Sequence, residues 1–143
     1  MMMVRSYLGP SEIEGLGVFC HTNIRKRQLV WLYDPRFDVS YMLSDVARAP
    51  KHFREFIERY TYPHPEDRER VVLDCDEGRF MNHSEQANVD LSDPTRGVAV
   101  RDIPAGVELT CDYRQFIDGA VEMQPPRHRV GRMPANRATT VAA

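Results

Sequence analysis

Apolar positions fall in short alternating runs along most of the chain, and one stretch repeats at helical spacing. Residues 3–8 (MVRSYL) and 17–21 (GVFCH) read as strands separated by the loop GPSEIEG. QLVWLYD at 28–34 reads as a third strand, rich in residues that suit a pleated, half-buried surface. The segment 40–60 reads as helical. Pro50 suits a first helical turn, and Phe53, Phe56, Ile57 and Tyr60 recur at i, i+3, i+4 and i+7. A polar loop, PHPEDRER, follows at 63–70, and further strands are predicted at 71–75, 87–91, 97–101 and 107–113. Asp93-Pro94 and Pro104-Ala105-Gly106 supply turns between them. Many short strands, one helical insert and no βαβ alternation predict an irregular, mostly antiparallel β fold.

Composition narrows the picture without changing it. The chain has 143 residues, 42% of them hydrophobic and 28% charged, which is one domain's worth of globular protein. No apolar run approaches the ~18 residues of a membrane span. The start lacks the ~7–15-residue apolar core of a secretory signal, so the expected location is cytoplasmic and intracellular. A net charge of −2 and a pI of about 6.2 argue against a protein that lives on nucleic acid by bulk electrostatics. The charge is uneven, however: residues 1–124 carry 15 Lys+Arg against 21 Asp+Glu, while residues 125–143 add four arginines and no acid. The basic tail reads as an extended or disordered arm, with weak nucleic-acid contact as its expected use. Cys20, Cys75 and Cys111 form no CxxC and leave one thiol over in any disulfide scheme, which favours reduced thiols.

Several tempting motifs fail on their chemistry. DCDEGRFMNHSE at 74–85 has acids at calcium-loop positions 1, 3 and 12, but Arg79 stands where position 6 requires glycine. The five histidines lack metal spacing, and no metal is expected. Gly15-Leu16-Gly17 lacks the third glycine and the following helix of a dinucleotide fingerprint.

Three segments remain that composition does not explain. GLGVF at 15–19 places two glycines in a bend between strands, as where a ligand approaches the backbone. RFMNHSEQAN at 79–88 sets clustered polar side chains beside aromatic and thioether groups, and GVELTCDY at 106–113 ends a β-rich stretch on a tyrosine directly after an aspartate. In this order and spacing the three resemble the SET-domain protein lysine methyltransferases, with the DIPAG turn at 102–106 leading into the last motif as it does in that family. The resemblance spans about residues 4–117.

The resemblance implies a β-rich, β-clip-like SET fold of short antiparallel strands with a C-terminal pseudoknot. It divides the chain into a SET domain at 1–117, with an insert at about 38–68, and a C-terminal extension with the basic tail at 118–143. It implies S-adenosylmethionine as methyl donor and S-adenosylhomocysteine as product. By position, Leu16, Gly17, Arg79, Phe80, Asn82, His83 and Phe116 would meet the cofactor, and Tyr113 would stand where donor and lysine meet. Ser84 and Asn88 read as structural. In the insert, Tyr60 or Tyr62 would line the lysine channel, although Tyr60 also continues the apolar helical stripe. Cys111 stands where the family usually has phenylalanine or tyrosine, so it is a candidate determinant of methylation degree and equally a packed strand thiol.

The chain departs from many chromatin enzymes in having no cysteine cluster before or after the motifs, as in the minimal viral and bacterial members. Residues 114–126 or a second subunit would then close the lysine channel, which makes a homodimer an expectation. The expected partner is a lysine-containing protein or peptide, a histone or another basic protein. Association with DNA, or export into a host by a non-classical route, is compatible with that reading. The rival reading is a non-catalytic SET module that binds a lysine peptide or the cofactor.

Overall fold

The computed structural model describes residues 1–117, so the extension and basic tail at 118–143 lie outside the described residues. Ten strands carry the fold of the described residues. β1 (Ser6–Pro10), β2 (Leu16–Cys20), β3 (Leu29–Leu32), β7 (Asn82–His83), β8 (Val89–Asp93), β9 (Arg96–Ala99) and β10 (Glu108–Cys111) form one sheet. Its order is β1-β2-β10-β8-β9-β3, with β7 also paired to β10. A second sheet, ordered β4-β6-β5, is built from β4 (Val39–Met42), β5 (Thr61–Pro63) and β6 (Arg70–Leu73). Most pairings are antiparallel; β10 meets β7 and β8 in parallel.

The last strand of the described residues, β10, therefore lies in the middle of the sheet. β10 pairs with β2 through Glu108–Phe19 and Leu109–Val18 on one side. On the other it meets Asn82, His83 and Val89. Burial explains why it stays there, since Leu109, Thr110 and Cys111 are all at least nine-tenths buried. Around them pack Val18, Cys20, Ile24, Val30, Met81, Val89, Ala99 and Ile103, which form one core. Asn88 completes the junction: its side chain donates to the Glu108 carbonyl at 2.7 Å and accepts from the Thr110 N–H at 2.9 Å. It thus stands in for a strand partner where the ladder breaks.

The insert differs from the single helix predicted at 40–60. Residues 39–42 are strand β4, followed by α1 (Leu43–Arg48) and α2 (Lys51–Tyr60). Two causes combine. Pro50 restricts the residue before it, and Ala49 is extended at ψ 159°, which ends α1. The alternating face of Val39–Met42 finds a partner in β6 from Val39–Leu73 to Met42–Arg70, and tertiary pairing overrides local periodicity. The helical stripe itself is present on α2, where Ile57 is buried while Phe56 remains 38% exposed.

Strand boundaries also move. The first strand begins at Ser6 rather than residue 3, because residues 1–3 instead run along β3 through the Met2–Trp31 bridge. β5 and β7 are additional to the predicted strands. Among the thiols Cys20 and Cys111 are buried and Cys75 is exposed, all free. No helix of the described residues is long and apolar enough to cross a membrane.

Candidate active site

The site begins where β10 ends. Asp112 accepts from the Arg114 N–H at 3.0 Å and pairs with the Arg114 guanidinium, which sets a 3-10 turn over Tyr113–Gln115. That interaction holds the Asp112 carboxyl below the usual carboxylate range. The turn presents Tyr113, whose N–H donates to His83 Nδ1 at 3.1 Å. Accepting at Nδ1 leaves the neutral imidazole's proton on Nε2. The Tyr113 hydroxyl donates to the Met81 carbonyl at 2.6 Å, and burial pushes the phenol above its ordinary pKa.

Beside this turn the two glycines of GLGVF serve different needs. Gly15 has φ +51°, a left-handed conformation that favours glycine. At Gly17 a Cβ would lie 2.1 Å from Glu108 Oε1, so the missing side chain makes room for a carboxylate of the protein itself. Glu108 in turn accepts from Ser11 Oγ at 2.9 Å and from Asn82 Nδ2 at 2.8 Å. Asn82 Nδ2 also faces the carbonyls of Glu14 and Leu16, both at 3.1 Å. The Asn82 amide nitrogen thus ties the glycine loop to β10; among the described residues its Oδ1 receives no hydrogen bond.

A cleft of about 160 Å³ opens between the two sheets' ends and the helical insert. It gathers six of the residues singled out from sequence: Tyr60, Tyr62, Arg79, Cys111, Tyr113 and Phe116. Phe116 packs against Tyr113 and Tyr62 at centroid distances of 5.6 and 6.5 Å. Cys111 is 2% exposed, and burial pushes its thiol up. The other predicted residues, Leu16, Gly17, Phe80, Asn82 and His83, do not line this cleft. His83 meets Tyr113 at 5.3 Å, and Phe80 meets Tyr60 at 5.3 Å with the Arg79 guanidinium 5.2 Å from its ring.

Trp31, Met81 and Glu108 carry no assigned role in the sequence reading, and Asp74 is met there as one of the acids that could attract a basic substrate or simply face solvent. Asp74 is the least expected, since it is 4% exposed and yet lines the cleft. Its Oδ2 accepts from Trp31 Nε1 at 2.9 Å and its Oδ1 from the Tyr62 hydroxyl at 3.2 Å. The Met1 amino group stands 3.6 Å from Oδ1 without lining the cleft. Burial raises the Asp74 carboxyl and the Tyr62 phenol alike. The chain's single tryptophan lying in a predicted strand was the one sign available for this cluster.

A central strand β10, a glycine loop tied to it by Asn82 and a tyrosine-lined cleft define a class of protein. The family model described as SET domain matches residues 15–114, and the chain belongs to the SET-domain family. A sequence search of curated proteins gave no match. Solved structures share the fold. A Plasmodium falciparum protein is 21% identical with a TM-score of 0.57, over 78% of this chain and 95% of its own. The Neurospora SET domain protein DIM-5, a histone lysine methyltransferase, is 22% identical with a TM-score of 0.56, over 85% and 55%. The Chaetomium thermophilum Polycomb Repressive Complex 2 is 23% identical with a TM-score of 0.58, over 80% of this chain and 16% of that one.

Proposed function

We propose that this protein is an S-adenosylmethionine-dependent protein lysine N-methyltransferase. The observation that carries the reading is the Tyr113 hydroxyl, anchored at 2.6 Å to the Met81 carbonyl on the wall of an aromatic cleft. The residues present fit a sulfonium cofactor. The rings of His83, Tyr113 and Phe116 follow one another at 5.3 and 5.6 Å, tilted by 49° and 53°, and Gly15 and Leu16 are exposed. Such π faces favour a neighbouring cation. Leu16, Gly17, Arg79, Phe80, Asn82, His83 and Phe116 are the residues that would hold the cofactor. When bound it supplies an electrophilic methyl group on a positively charged sulfur.

The chain's own contribution is alignment and exclusion of water. The nucleophile must be a neutral amine, and a free lysine near pH 7 gives up its proton at a cost of roughly 4–5 kcal/mol. An apolar channel lowers that cost by disfavouring the ammonium. Tyr113, with its proton committed to Met81, presents oxygen lone pairs that accept an N–H and orient the amine. The acidic balance of residues 1–124 supports a basic, lysine-rich substrate such as a histone tail or another nucleic-acid-associated protein.

The test is incubation of the full chain with methyl-labelled cofactor and a panel of lysine-rich proteins, comparing wild type with Tyr113→Phe. Label on lysine from wild type alone supports the enzyme. Cofactor binding without transfer to any substrate favours the non-catalytic module.

A further inference from the structure

We propose that the turn between β2 and β3 is a phosphate-contact surface, through which the protein rests on the backbone of a nucleic-acid duplex. Its tip is Arg25-Lys26-Arg27, three consecutive cations, all exposed. A fourth, Arg101, is exposed on the facing segment. Three contacts bring that segment alongside the turn: the Ile24–Ile103 bridge, the Lys26 N–H on Asp102 Oδ1 at 2.7 Å and the Arg27 N–H on the Ala99 carbonyl at 2.8 Å. None of the four cationic residues lines the cleft.

The turn is built to hold these side chains out. Gln28 closes it twice: its N–H donates to the Arg25 carbonyl and its Oε1 accepts from the Arg25 N–H, both at 3.0 Å. With Lys26 and Arg27 tied as above, every main-chain N–H from Arg25 to Gln28 is satisfied within the protein. Arg27 has φ +68° and is the one non-glycine residue among the described residues with a positive φ. Glycine takes that conformation freely and a side chain resists it, so a cation is kept here against the backbone's preference.

Charge identifies the partner. Elsewhere Arg36, Arg59, Arg70 and Arg114 each reach a carboxylate at 2.6–3.1 Å. Arg25, Lys26, Arg27 and Arg101 form no ion pair among the described residues. Arg101 instead donates to the carbonyls of Ala87 and Gln86 at 3.2 and 3.4 Å, and Glu85 beside them pairs with Arg114 at 3.4 Å. Asp102 is the only acid in the segments 21–28 and 96–106, and its Oδ1 is taken up by the Lys26 N–H. Four cations against that one acid make a local positive field, which the acidic balance of residues 1–124 conceals. Guanidinium groups bind phosphate oxygens in pairs, and cations on a short turn meet phosphates at the surface of a duplex without entering a groove. The contact is therefore to the backbone and indifferent to base sequence.

The test uses the full chain and a short labelled DNA duplex of mixed sequence, with affinity read by anisotropy between ~50 and ~200 mM salt. Each phosphate neutralised adds about one to the slope of log affinity against log salt. Arg25→Gln, Lys26→Gln and Arg27→Gln combined keep the main-chain bonds, and the slope is expected to fall by about three. Arg27→Gly separates binding from stability. Its slope is expected to fall by about one while its melting temperature stays level or rises, since glycine relieves the backbone. A lower melting temperature with an unchanged slope would make Arg27 a structural residue and overturn the proposal. So would a wild-type slope in the triple variant, or a slope lost only when Arg127, Arg129, Arg132 and Arg137 of the tail are replaced by glutamine. Displacement of the duplex by an equal charge concentration of poly-L-glutamate would make the partner an acidic protein and overturn it as well. Tyr113→Phe is expected to bind the duplex as wild type does, so that failure of methyl transfer and failure of this surface are read separately. Loss of duplex binding in folded Tyr113→Phe would overturn the separation from the cleft.

Discussion

The hydroxyl of Tyr113 donates to the main-chain carbonyl of Met81 at 2.6 Å, joining the end of the last strand to the segment just before β7. The bond fixes the phenol's proton and so fixes which face of its oxygen meets the cleft. Tyr113→Phe is expected to keep the fold, because the ring still packs on His83 and Phe116. Methyl transfer should fall by roughly 10²-fold, the usual cost of one positioned polar group at a reacting centre. Single-turnover rates with matched circular dichroism spectra check this.

The same burial sets the pH behaviour. Tyr113 and Tyr62 have phenols raised above the ordinary value of 10.0, so both stay protonated well past neutrality. A rate that climbs from pH 7 toward pH 9 then reports deprotonation of the substrate amine. Tyr62→Phe should show the same slope as wild type in a pH–rate profile. A flat wild-type profile would sink this assignment.

Gly17→Ala places a methyl group 2.1 Å from Glu108 Oε1. The carboxylate could swing aside only by leaving Ser11 and Asn82, to which it is bonded at 2.9 and 2.8 Å. The variant should lose about 1–3 kcal/mol of stability, as overpacking at a fixed site does. In a Glu108→Ala background the same change should cost much less, and a double-mutant cycle from denaturant melts measures the coupling.

Acid stability is expected to depend on Asp34. Its carboxylate accepts from the Arg36 side chain and backbone, which lowers its pKa from 3.8 to about 2. A depressed folded value means stability that is present above 3.8 and lost as pH falls through about 2. Asp74, raised by burial, acts with the opposite sign, since protonation relieves it in the folded state. Melting temperatures should therefore drop between pH 4 and pH 2, and Asp34→Asn should flatten that limb.

Cys111 is small, buried and part of the cleft lining. On the proposed function, replacing it with tyrosine adds a ring and a hydroxyl beside the space the methyl groups would take. Mass spectrometry of the product should shift toward monomethyl-lysine, and an unchanged distribution would mean that Cys111 is only a packing residue.

Much of this architecture is legible in the chain itself. Strands at 17–21 and 28–34 and the helical face of Phe53, Ile57 and Tyr60 follow from periodicity. Asn88 reads as structural in the sequence, and the structure shows why: it bonds Glu108 and Thr110 across a break in the ladder. The order of GLGVF, RFMNHSEQAN and GVELTCDY carries the family, because each motif is short and local and survives without knowledge of the fold.

What only the tertiary structure decided concerns residues distant along the chain. Nothing near Val39–Met42 announces that β6, some thirty positions later, will pull it into a strand. Gly17 reads in the sequence as a point where a ligand meets the backbone, and only the fold shows that Glu108, 91 positions on, fills the space a side chain there would take. Trp31 and Asp74 look like an ordinary strand residue and a loop acid until folding brings them 2.9 Å apart at the floor of the cleft. Periodicity and turn chemistry act between near neighbours and are written in the sequence. Burial and electrostatic partnership act through space, and they exist only once the chain has closed on itself.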